Sequence, residues 1–298
     1  MASLLETRKK IGSVKQTRKI TKAMQLVSAS KMKIFQKRAV AARQYAWDLL
    51  EVLKYHASEE QISSFLDHRS SGKVLFVLYS SDKGLCGPLN SKLFKSLFSS
   101  AAWLQTPAAD RLLITIGKKA ADFAQFNEIP VAKSFKGLKE KMDILDALTF
   151  IQPIFEYWQK DIVKKIYMVA PHYKSTLVFY PVLKTFLPFS FEMIEEHLNV
   201  DAESGRQLLP RTREGCMIYE PSQARFLEVL FEQVAQMLFL QAFLELKAAE
   251  YSSRMVAMQN ATDNASDLIH GLTLVYNKAR QAKITQELSE MAGTMAAL

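Results

Sequence analysis

Residues 222–292 read SQARFLEVLFEQVAQMLFLQAFLELKAAEYSSRMVAMQNATDNASDLIHGLTLVYNKARQAKITQELSEMA, with no proline and a single glycine, Gly271. Nothing in this stretch forces the backbone out of a helix, and Ser222, directly after Pro221, is placed to cap one. A helix that long measures roughly 105 Å at 1.5 Å per residue and needs a partner along its side. Steps of three and four connect Met237, Gln241, Leu244, Ala248, Tyr251, Met255, Met258, Thr262, Ala265, Ile269, Leu272, Tyr276 and Ala279, which is a heptad seam. Gly271 costs about 1 kcal/mol relative to alanine, too little to break such a helix.

The partner lies at the other end of the chain. Ser3-Leu4-Leu5-Glu6 has the form of a capping box, no proline occurs before Pro88, and Gly12 is the only glycine before Gly72. A first helix is therefore expected to run to about residue 57. Its seam reads Ile11, Val14, Arg18, Thr21, Gln25, Ser28, Met32, Phe35, Ala39, Ala42, Ala46, Leu49 and Leu53, polar in the middle. A second stripe of Ile20, Met24, Val27 and Ile34 runs beside it. That wider, mixed surface suggests contacts with a third party.

Between the two helices the pattern changes. Residues 58–72 are serine-rich and read as a linker, and all nine prolines fall between Pro88 and Pro221. Residues 73–79, KVLFVLY, form an apolar run of strand length, followed by a turn with Gly84 and Gly87 and a helical stretch over 89–104. Further strands are expected at 111–117, 129–135, 165–170, 175–183 and 216–219, with helices at 118–126 and 142–160. The expected fold class is α/β: a long antiparallel coiled coil of the N- and C-terminal helices (1–57 and 222–298) with an inserted Rossmann-like domain over 73–221. The second helix outruns the first by some fifteen residues, roughly 22 Å, and ends on the uncharged run 291–298, MAGTMAAL.

The net charge of +9 is uneven. Residues 1–43 hold twelve Lys or Arg against one acid, Glu6, so the excess is concentrated in the first helix and calls for an acidic partner. No window approaches eighteen uncharged apolar residues and no apolar segment follows the charged start, so neither a membrane span nor a secretory signal is expected. Cys86 and Cys216 are too few and too far apart for a disulfide frame or a zinc site. The Gly84-x-x-Gly87 turn lacks the full pattern of a phosphate-binding loop, and Asp82 and Lys83 read as ordinary loop charges. His68, His172 and His197 have no metal spacing. No catalytic residue, metal site or cofactor is expected. Two rival readings remain: a nucleic-acid binder using the basic helix, whose charges are poorly interleaved with aromatic residues, and a phosphate-handling enzyme built on the 84–87 turn.

Residues 11–24, IGSVKQTRKITKAM, continuing through 27–32, VSASKM, resemble the N-terminal signature of the gamma subunit of F-type ATP synthases, of the bacterial type. Residues 254–258 (RMVAM), 261–265 (ATDNA), 276–282 (YNKARQA) and 284–287 (ITQE) resemble its C-terminal signature, and 81–87 (SDKGLCG) its turn at the foot of the shaft. Pro88 departs from the small residue common there.

The resemblance implies a non-catalytic rotor shaft. Its partners would be the alpha and beta subunits of the catalytic hexamer, the epsilon subunit and the membrane c-ring. Nucleic acid would not be among them. It would lie peripherally at the cytoplasmic face of a bacterial inner membrane, coupling proton-driven rotation to ATP synthesis. By the same resemblance, Met24 and the basic residues Lys9, Lys10 and Lys22, with Arg254, Arg280, Gln281 and Thr285, match places where the shaft meets beta. Asp82, Lys83, Gly84, Cys86 and Gly87 match the region facing the ring and epsilon.

Overall fold

The structure, a computed structural model, describes residues 4–56, 65–140, 144–175, 178–190, 193, 219–220 and 222–296. Most of the expected strand at 216–219, the linker over 58–64 and the Ser3 cap lie outside the described residues. The chain divides into two compact units, one of residues 1–30 with 254–298 and one of residues 31–253. Two helices, α1 (Leu4–His56) and α6 (Gln223–Ala296), each contribute to both.

In the first unit the parts of α1 and α6 pair antiparallel along the expected seam. Thr21, Ser28, Met258, Thr262 and Ala265 are buried, and Ile11, Val14, Gln25, Ile269, Leu272 and Tyr276 are half-buried. The Thr21 and Thr262 hydroxyls lie 2.8 Å apart and Gln25 donates to Gln259, so the polar middle of the seam is met polar to polar. Arg18 leaves the seam; its side chain is exposed, while its carbonyl accepts a hydrogen bond from Thr21. Continuing this pairing sets the start of α1 opposite Ala279. Tyr276 is the last half-buried position, and every residue described from Asn277 to Ala292 is exposed.

The second unit is built on a five-stranded sheet in the order β3-β2-β1-β4-β5, from β1 (Lys73–Tyr79), β2 (Arg111–Ile116), β3 (Lys133–Phe135), β4 (Val163–Tyr173) and β5 (Phe179–Leu187). The first four are parallel and β5 returns antiparallel beside β4. β1 is central and buried on both faces, which is why it reads as a continuous apolar run. β5 is an edge strand and so accommodates Pro181.

The expected helix over 89–104 is broken into α2 (Leu89–Phe98) and α3 (Ala101–Gln105), because Ser100 caps a new helix by accepting a hydrogen bond from the Trp103 amide. α4 (Lys118–Phe126) matches expectation, and α5 (Ile144–Gln159) falls within the expected 142–160, residues 142–143 lying outside the described residues. Strand β3 is shorter than the expected 129–135, β4 longer than 165–170, and β5 displaced from 175–183.

Residues 35–53 of α1 and 227–249 of α6 enter the same core as the sheet. Over 237–250 every side chain of α6 but Gln241 is buried, so the helix is central here rather than one strand of a zipper. α6 contains an eighteen-residue window apolar enough to cross a bilayer by composition, but 67% of that window is buried within the fold, and the apolarity builds this core. Phe231, Phe239 and Phe243 are among its largest fully buried side chains, each contributing about 1.5–3 kcal/mol of transfer free energy.

Candidate partner-binding surfaces

Two surfaces carry the residues singled out above. The first is the paired-helix unit. Its described residues hold eleven Lys or Arg against five Asp or Glu, and the excess lies on residues 4–30 of α1. Lys9, Lys10 and Lys22 are exposed and make no ion pair with any described residue. Met24 is half-buried, whereas its companions in the second stripe, Ile20 and Val27, are 56% and 54% exposed, as is Leu26 at 60%. Charge and apolar surface are therefore both open on α1.

On α6, Arg280, Gln281 and Thr285 are exposed on the unpaired segment, with the Thr285 hydroxyl donating to the Gln281 carbonyl at 3.0 Å. Ile284, Leu288 and Met291, spaced by four and three, form one exposed apolar stripe there. Sequence reasoning named the uncharged tip but missed this stripe, whose signal is the i, i+4, i+7 spacing. Arg254 is different: only 6% of it is exposed, so it is held within the protein.

The second surface is the turn after β1. It is pinned from several sides. Asp82 accepts hydrogen bonds from the backbone amides of Lys118 (2.8 Å), Gly137 (3.3 Å) and Leu138 (2.7 Å), fastening the turn to the start of α4 and to the loop before α5. The Ser80 hydroxyl accepts from the Ala120 amide at 2.8 Å, and Asn90 bridges Ser81 and Cys86. Gly117, at φ 103°, closes against this turn; a Cβ there would lie 2.1 Å from the Ser80 carbonyl oxygen, which only glycine avoids. The Ser253 hydroxyl donates to the Cys86 carbonyl at 2.5 Å, tying the turn to α6.

Asp82 is thus a staple, and the Cys86 side chain is buried. What the turn presents outward is Lys83, Gly87 and Leu85, with Gly84 half-buried. Leu85 is 61% exposed at φ 60°, a left-handed conformation uncommon for a branched residue. Composition had no means of flagging Leu85, because its exposure follows from the backbone of the turn.

In open sheets of this type ligands bind at the switch point, outside the carboxyl ends of the strands. Here that switch lies between β1 and β4, and α6 is bonded to both strand ends. The Tyr79 hydroxyl donates to the Phe239 carbonyl at 3.2 Å, and Glu245 takes the Tyr173 amide at 3.1 Å and His172 Nδ1 at 3.1 Å. Arg43 of α1 completes the cluster, 2.8 Å from Glu245. Burial alone would raise the Glu245 carboxyl, but the His172 hydrogen bond and the Arg43 charge outweigh it and hold the group at about 2. This carboxylate is locked in place rather than poised for proton transfer. No cluster of three or more potential metal ligands occurs among the described residues.

A family model described as ATP synthase matches residues 3–298. Among solved structures, the rotor of the Euglena gracilis mitochondrial ATP synthase in rotational state 1 is 19% identical, with a TM-score of 0.62 over 94% of this chain and 98% of that one. The Euglena gracilis OSCP/F1/c-ring assembly in rotational state 3 contains a chain 20% identical, with a TM-score of 0.67 over 99% and 94%. The central stalk and c-ring of the Tetrahymena thermophila mitochondrial enzyme contain one 23% identical, at 0.58 over 81% and 99%. At these identities the likeness is one of fold.

Proposed function

The chain belongs to the gamma-subunit family of ATP synthase, and from that premise we propose how its two units divide the work of a central rotor shaft. The paired helices turn inside the hexamer of alpha and beta subunits, and the sheet unit meets the membrane c-ring and the epsilon subunit. Rotation of the ring is thereby transmitted to the catalytic beta subunits. The observation that carries this reading is the family match over nearly the whole chain, joined to two helices that run unbroken through both units.

The chain itself is non-catalytic. In support, α6 takes the place at the strand ends where a nucleotide would bind, and the one buried carboxylate there is paired. Lys9, Lys10 and Lys22 attract acidic loops of beta, and because exposed ion pairs are weak and exchangeable they can be handed from one beta subunit to the next. Met24, Arg280, Gln281 and Thr285 contribute to the same sleeve, and Arg254 supports it from within. The turn with Asp82, Lys83, Gly84, Cys86 and Gly87 serves the ring and epsilon side, presenting Lys83 and Leu85. The assembly lies peripherally at the cytoplasmic face of a bacterial inner membrane.

Co-expression with alpha and beta subunits tests the proposal. A tag on this chain is expected to recover both, with ATPase activity in the complex and none in the chain alone. Turnover by the isolated chain, or failure to recover the two larger subunits, would refute it.

A further inference from the structure

At the amino-terminal edge of the sheet lies a cavity of about 570 Å³ lined by His68, Arg69, Lys164, Lys165 and Tyr167 among others, with no acidic side chain among the described residues of its wall. The size suits a small organic anion rather than a single ion. Consecutive residues of a strand normally point to opposite faces, so two adjacent lysines should not share a cavity. Here they do because the β1–β4 register slips at this point: Lys73 pairs with Val163 and Val74 with Lys165, leaving Lys164 as an extra, bulged residue. Such bulges re-aim side chains. Gly72 makes room for it, since a Cβ at that position would lie 3.1 Å from the Lys164 amide nitrogen.

Of the cations in this wall, Arg69 is paired, whereas the two lysines form no ion pair among the described residues. Arg69 forms the floor, stacked 3.9 Å over the Trp158 ring, donating to the Trp158 and Val163 carbonyls and paired with Asp161. Lys164, Lys165 and His68 make no ion pair with any described residue; Lys165 only lies over the Tyr167 ring at 4.8 Å. Both lysines are half-buried in the wall, so an anion seated in the cavity would meet two charges that solvent screens less than it does fully exposed ones.

We propose that this groove binds a phosphate-bearing anion, with Lys164 and Lys165 as its principal contacts and His68 at the rim. A soluble phosphate ester and a phospholipid headgroup offer the same chemistry, and the test separates them. The purified full chain is titrated calorimetrically with inorganic pyrophosphate and, separately, floated with vesicles of phosphatidylglycerol and phosphatidylcholine or of phosphatidylcholine alone. The K164Q/K165Q variant is compared with K33Q/K37Q, which removes the same charge from exposed positions on α1.

Binding of pyrophosphate that falls at least about tenfold in K164Q/K165Q and less than twofold in K33Q/K37Q assigns a soluble anion, and the same pattern with acidic vesicles alone assigns a headgroup. Absence of binding to either probe, or equal loss in the two variants, overturns the proposal. Protection of Lys164 and Lys165 from acetylation by the bound probe, read by mass spectrometry on the unsubstituted chain, decides the matter should the double variant fail to fold; no protection overturns it.

Discussion

Glu245 is a buried carboxylate whose neighbours come from three elements: Arg43 on α1, His172 and the Tyr173 amide on β4, and Gln241 one turn back on α6. Removing one partner of such a cluster leaves the others uncompensated, and typically costs 3–5 kcal/mol. Glu245→Gln is therefore expected to lower the urea midpoint strongly. The pH dependence follows from the depressed carboxyl. Its stabilisation is fully present above the unfolded value of 4.5 and is lost as pH falls toward about 2, about 3 kcal/mol across that window. Urea melts at pH 7, 4 and 2.5 should show this loss in the wild type and a shallower one in the variant. Parallel pH profiles would mean that Glu245 does not carry the effect. This cluster was beyond reach of sequence reasoning, since Arg43 and Glu245 are 202 residues apart and carry no pattern of their own.

The long helices, by contrast, were legible because a heptad seam repeats over many turns and neither run contains proline. Thr21, Ser28, Met258, Thr262 and Ala265 are all buried where the seam put them. β1 and β2 were legible as short, largely apolar runs, VLFVLY after Lys73 and LLITI after Arg111. The break between α2 and α3 was not, because a serine pair reads as helix interior until Ser100 is seen capping. The displacement of β5 arises in the hairpin, where Lys174 and Ser175 turn with Val178 and the strand starts only at Phe179.

Two tests belong to this scale. Reversal of charge at Lys9, Lys10 and Lys22 is expected to weaken assembly or coupling in a salt-dependent manner while the melting of the isolated chain stays within about 1 kcal/mol, these side chains being exposed and unpaired. Full coupling in the triple variant at low salt would defeat the electrostatic account. Deleting residues 293–298 should cost no more than that many residues of helical circular dichroism, since α6 has lost its partner well before them, and should reduce torque modestly. A larger loss of helicity would show that the tip stabilises the pair.

A shaft needs torsional stiffness along its length and weak, renewable contacts around it. α1 and α6 are each one continuous helix, and 237–250 of α6 is buried in the sheet core. We assign the renewable contacts to the exposed lysines and apolar stripes left open on the described parts of α1 and α6. The rotor reading is tested most directly by watching it turn. A bead is fixed through a cysteine introduced at the exposed Lys95 of α2, with Cys216 replaced by serine, and the complex with alpha and beta subunits is immobilised and given ATP. Steady rotation of the bead in one direction, stopping when ATP is withdrawn, is the predicted result; a complex that hydrolyses ATP while the bead stands still would contradict it.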